Sequence, residues 1–169
     1  MIPKMPYEFL RRRVALSWAE VHFCLQLRRL TPSNAIDHAV DWVVANDNAS
    51  KREIELASCT GADWSRVPEL VSILAAEEGS PEGEYDSAKW LYLALAWLFE
   101  NRDSVSDPLI QVEMIYADFD YPPEITSLVY YMPCEEPDLG SRELNEARIY
   151  ANWENYLQAE AKRFSPQPT

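Results

Sequence analysis

The amino-acid sequence predicts an all-α protein, and three observations carry that expectation. The chain of 169 residues contains only four glycines. No stretch alternates apolar and polar residues cleanly, as a half-buried strand requires. Helix-start signals recur, each followed by apolar residues three and four apart. Segments 14–16 and 54–56 could be extended, but both are too short to build a sheet. A length of 169 residues and 47% apolar composition suit one domain with a sizeable core. The expected architecture is a single compact domain over residues 1–164, with a frayed tail at 165–169. About seven helices should surround a central apolar helix at residues 88–100.

The elements follow in chain order. Ser17-Trp-Ala-Glu20 has capping-box spacing, so a helix should run from there to about Leu30, with Val21, Cys24, Leu25 and Leu27 inward. Thr31-Pro32 reads as an N-cap with proline at the first helical position, where its missing N–H costs nothing. Ala35, Ile36, Ala39, Val40, Val43 and Val44 then form one stripe, ended by Asn46-Asp-Asn48. Residues 50–58 predict a short helix, and Ala62 or Asp63 opens another to about Ala76 with Val67, Leu70, Val71 and Leu74 inward. Residues 77–86 read as an acidic loop containing Gly79, Pro81 and Gly83. Residues 87–100 are apolar on nearly every side, so this helix belongs at the centre. Asp107-Pro108 starts the next helix, with Leu109, Val112, Ile115, Tyr116 and Phe119 inward. Asp120 stands where an N-cap is wanted for a short helix from Tyr121-Pro-Pro to about Tyr130, which Met132-Pro133 stops. Residues 134–140 are a second acidic loop, and Ser141 caps a last helix to about Phe164. Its expected inner face is Leu144, Ala147, Tyr150, Trp153, Tyr156 or Leu157, and Ala161.

Charge is placed unevenly along the chain. Residues 1–66 carry 8 acids and 9 bases, whereas residues 67–169 carry 20 acids and 6 bases. Between Asp103 and Ser141 there are nine acids and no Lys or Arg, within a net charge of −13. Such a surface repels nucleic acid and anionic membrane and attracts basic partners. Arg11-Arg12-Arg13 is the only basic run, too small for a nucleic-acid footprint. It reads as a solvated helix face, or as docking against the protein's own acids.

Signs of catalysis are sparse. There is no glycine-rich phosphate loop, and His22 and His38 fall on different helices. Cys24, Cys59 and Cys134 are odd in number and widely spaced, which argues against disulfides and metal knuckles. No signal-peptide pattern follows Met1, and the longest apolar run, residues 90–99, is short for a membrane span. A cytoplasmic protein without cofactor, metal or catalytic residues is the expectation.

The sharpest cluster is Tyr116-Ala-Asp118-Phe-Asp120-Tyr-Pro-Pro-Glu124. Paired acids could bind a cation or act as acid and base. Asp120 as a cap and Glu124 in a first helical turn have local explanations. Asp118, near a helix C-terminus, has none. Tyr130 and Tyr131 lie between acidic segments, and either pack in the core or stand out as aromatic anchors.

The stretch Tyr116-Ala-Asp-Phe-Asp-Tyr-Pro-Pro-Glu-Ile125, closing with Tyr131-Met-Pro133, resembles the signature of a family of small bacterial proteins of unknown function. The Lys89-Trp-Leu-Tyr-Leu93 helix fits the same pattern, so the likeness spans residues 88–133. The resemblance brings no catalytic residues with it. Members are similar in size and acidity to immunity proteins, which neutralise toxins. It implies an immunity protein that binds a basic toxin domain, such as a nuclease effector, through an acidic surface. The expected binding residues are Asp118, Asp120, Glu124, Tyr130, Tyr131, Glu135, Glu136 and Asp138, with Glu82 and Glu84 as a second surface. The alternatives are a metal-dependent helical enzyme using Asp118 and nearby carboxylates, and a non-enzymatic adaptor.

Overall fold

Eight α-helices and three short 3-10 helices account for the regular structure in a computed structural model, which describes residues 3–79, 86–132 and 136–166. No strand occurs among them, as the scarcity of glycine and of alternation predicts. The helices form two compact units, one within residues 4–85 and the other within residues 86–165.

The first unit begins with a helix that the spacing of apolar residues does not announce, α1 (Tyr7–Arg13). The Ser17 capping box is in place at the start of α2 (Trp18–Gln26). Ser17 Oγ accepts the Glu20 N–H at 3.1 Å, and the Glu20 carboxylate accepts the Ser17 N–H at 2.9 Å. This helix stops four residues short of the expected Leu30. Arg28 turns left-handed (φ 54°), and the Arg29 and Leu30 N–H groups both close on the Cys24 carbonyl. Leu27 is consequently exposed, not inward. Thr31 caps α3 (Pro32–Ala45) with Pro32 in the first turn, and Ser50 caps α4 (Lys51–Ala57). The expected stripe on α3 is rotated. Ala35 and Ala39 are buried but Val40 and Val44 are exposed, because His38 and Trp42 turn towards the Trp18 ring instead. The segment Gly61–Arg66 is a 3-10 turn, and the α-helix proper, α5, is Val67–Glu77. Val67, Leu70, Val71 and Leu74 are buried on α5, which packs against α2, α3 and α4.

The second unit is built on α6 (Ser87–Glu100), capped by Asp86. Its position at the centre follows from its composition, since Leu91, Ala94, Leu95 and Leu98 pack into one cluster with Val112, Ile115, Ile125, Leu128 and Trp153. α7 (Pro108–Asp118), capped by Asp107, contributes Leu109, Val112, Ile115 and Tyr116. α8 (Arg142–Phe164), capped by Ser141, contributes Ile149 and Trp153. The face of α8 differs from the expected one. Leu144 and Ala147 are exposed, and the inward line runs through Ile149, Trp153 and Tyr156. The Trp153 ring fixes that line, meeting Phe99 edge to face at 5.1 Å and stacking on Tyr150 at 5.9 Å. Between α7 and α8, the expected short helix is a 3-10 helix, Pro123–Leu128, which ends two residues before Tyr130. It places Ile125 and Leu128 in the same core. The loop containing Glu82 and Glu84, together with Cys134, Glu135 and the last three residues, lies outside the described residues.

Candidate functional site

The turn after α7 differs most from what the residues suggest. Asp120 is not an N-cap. Asp120 and Tyr121 are both left-handed (φ 60° and 56°), and the N-cap of the 3-10 helix is Pro122, with no side-chain bond. The Asp120 N–H bonds the Ala117 carbonyl at 3.1 Å and the Tyr121 N–H bonds the Tyr116 carbonyl at 2.9 Å, so the pair terminates α7. A left-handed non-glycine residue costs about 1–2 kcal/mol, less for Asp than for Tyr. The Tyr121 ring offsets part of this cost by meeting Tyr116 edge to face at 5.3 Å. Backbone strain held in this way clusters at working surfaces.

The acids on this segment are outward. Asp118 is the last residue of α7 and is exposed, as are Asp120 and Glu124. Glu124 lies in the first turn of the 3-10 helix, where the local dipole favours it. Among the three tyrosines beside them, Tyr121 is 58% exposed, Tyr130 47% and Tyr131 59%. The alternatives for Tyr130 and Tyr131 thus resolve towards exposure. Ile110 and Met114, one turn apart on α7, are also exposed, so apolar groups extend along the helix that carries Asp118.

The second acidic segment is tied to the protein itself. Asn145 donates to Asp138 Oδ1 at 3.0 Å, the Gly140 N–H donates to the same oxygen at 2.7 Å, and Asn145 Oδ1 accepts the Leu139 N–H at 3.1 Å. These donors hold the Asp138 carboxyl below its ordinary titration range, the Asn145 bond first. Arg148 reaches the Glu136 carboxylate at 3.0 Å and the Pro137 carbonyl at 2.7 Å. Glu136 and Asp138 therefore do two things: they pin residues 136–140 onto the start of α8, and they line a cleft of about 370 Å³. The same cleft is bordered by Ser127, Val129, Tyr130, Met132 and Ile149. Glu82, Glu84 and Glu135 are outside the described residues.

One polar network in the first unit escapes a reading by motif, because its members lie 30 and more positions apart. The Tyr7 hydroxyl lies 3.2 Å from His38 Nδ1 and 3.4 Å from Asp41 Oδ2, and Arg11 bonds Asp41 Oδ1 at 3.0 Å. The basic run thus docks Arg11 on the protein's own acids, with Glu8 as its second partner at 3.1 Å. Arg13 instead lies over the Phe9 ring at 4.8 Å. Burial lowers the His38 pKa, with Asp41 opposing, and burial also raises the Tyr7 hydroxyl above its usual range. His38 Nε2 is closed off from solvent, and the imidazole joins α1 to α3 through the Tyr7 hydroxyl. Cys24 is buried, and burial pushes its thiol up to about 12.

Among the described residues, no three His, Cys, Asp or Glu side chains gather as a metal site, and no helix is long and apolar enough to cross a membrane. Asp118, Asp120 and Glu124 share a segment without converging on a metal-sized space. Their arrangement suits contact with a cationic surface. None of the curated proteins and none of the solved structures matches the chain. The family model described as "Uncharacterized protein conserved in bacteria (DUF2247)" matches residues 7–161. With nearly its whole length matched, the chain belongs to this bacterial family.

Proposed function

We propose that the protein is an immunity protein, acting in the cytoplasm, that binds a basic toxin or effector domain one to one and neutralises it without catalysis. The observation that carries this reading is the segment from Asp118 to Tyr131. It holds three exposed acids and three tyrosines that are about half exposed, and no basic residue. Exposed aromatics supply most of the energy at interfaces, because they bury a large rigid surface at low entropic cost. Carboxylates around them add orientation and association rate more than affinity. A nuclease effector is basic because it binds phosphates, and an acidic face complements it for the same reason.

The test is binding to the product of the adjacent gene, measured at rising salt. One-to-one binding is expected, with an association rate that falls steeply with ionic strength. No binding, or a rate indifferent to salt, would sink the proposal. Stoichiometric Mn, Fe or Zn in the purified protein would instead favour a metal-dependent enzyme.

A further inference from the structure

The cleft beside Tyr130 combines three surfaces of different chemistry. Val129, Met132 and Ile149 supply an apolar lining, the Tyr130 ring borders it, and Glu136 and Asp138 bring carboxylates to it. We propose that this cleft receives one arginine side chain of the partner protein, an anchor that the acidity of the surface alone does not specify. The inference rests on the reading that the partner is a basic protein.

Arginine is the side chain with matching parts. Its aliphatic stem buries against apolar surface while its planar cation stays near solvent, stacks on aromatic rings and pairs with carboxylates. The cleft is about 370 Å³, room enough for one long side chain. Among the described residues its fixed charges are two carboxylates and the Arg148 guanidinium, leaving one negative charge for an incoming cation to neutralise. Arg148 offers little to an anion, because it is already spent on Glu136 and the Pro137 carbonyl. The Asp138 carboxylate is preorganised: Asn145 and the Gly140 N–H both bond Oδ1 and hold the group ionised, leaving Oδ2 as a second acceptor. Arg148 likewise fixes Glu136 before any partner arrives, so little ordering remains to be done on binding.

The experiment is an NMR titration of the isotopically labelled full chain with N-acetyl-arginine methylamide, its lysine and glutamate counterparts, and the uncharged citrulline isostere. Saturable shifts confined to Tyr130, Met132, Ile149 and Arg148 are expected for arginine. Lysine should bind about threefold more weakly, and citrulline should not bind. Tyr130→Ala, an exposed position, should weaken arginine about threefold with the rest of the spectrum unchanged. Equal binding of citrulline, binding of the glutamate compound in its place, or no saturable shift on the order of 10 mM would overturn the inference. Because the probes need no toxin, these outcomes leave the immunity reading standing. Failure of the adjacent gene product to bind would end that reading whatever the probes do.

Discussion

The two units are similar in helix content and differ in how strongly acidic they are. Residues 4–85 carry 13 acids and 9 bases, and several of the bases are spent internally: Arg11 on Asp41, Arg52 on Glu77, Arg66 on Glu55. Residues 86–165 carry 15 acids and only 6 bases. The excess acid falls on the unit that also exposes Tyr121, Tyr130 and Tyr131. Exposed pairs add little stability, so the less acidic unit gains solubility and local order from its charges more than free energy. An unbalanced unit pays self-repulsion for its field, and that cost is retained where the field attracts something. On the proposed reading, the more acidic unit is the one that meets the partner.

The largest effect is expected in the core of the acidic unit. Trp153 is fully buried against Phe99 and Tyr150, so Trp153→Ala should lower urea stability by about 3–5 kcal/mol. A loss below about 1 kcal/mol would show that α8 is not integral to that core. Next comes the network of the first unit. Tyr7→Phe removes the hydroxyl shared by His38 and Asp41 and should cost about 1–3 kcal/mol, since it strands partly buried partners. A neutral result would make the network ornamental.

Acid should then act on the same place. Burial lowers the His38 pKa, against the opposing pull of Asp41 and Glu78, so the folded state favours the neutral ring. The unfolded chain binds a proton more readily, and stability therefore rises with pH across this window. The contribution is present above about 6.5, the ordinary histidine value, and is lost as pH falls from there to the lowered one. Unfolding midpoints from pH 7.5 to 5, with the ring shifts of His38 followed alongside, check this, and a midpoint rising with acid would contradict it. The smallest effect is at a cap: Ser17→Ala should cost about 1 kcal/mol by freeing the Glu20 N–H.

Much of the fold is legible in the residues because caps act locally. Ser17, Thr31, Ser50, Asp107 and Ser141 each mark a helix start that the structure keeps, and the apolar run of α6 marks the centre of its unit. Helix faces are less legible where an aromatic residue overrides aliphatic spacing. On α3, Trp42 packs against Trp18 while Val40 and Val44 stay outside, and on α8 Trp153 rotates the inward line away from Leu144. Helix ends set by backbone twist are also hidden, since Arg28 and Tyr121 are not residues that announce a left-handed turn. Of the candidate site, the acids and tyrosines of residues 118–131 were visible as types. The tying of Glu136 and Asp138 to Arg148 and Asn145 depends on which side chains the first turns of α8 turn towards the preceding segment, which no capping motif marks.

One kinetic comparison tests whether the more acidic unit is the contact surface. Association with the adjacent gene's product would be measured at about 50 and about 500 mM salt for the wild type, for Asp118→Asn/Asp120→Asn/Glu124→Gln, and for Arg52→Ala in the less acidic unit. The wild-type rate should fall about tenfold or more with salt. The triple variant should start near the high-salt rate, and Arg52→Ala should behave as wild type. A triple variant that associates at the wild-type rate and keeps the full salt dependence would contradict the proposed contact surface.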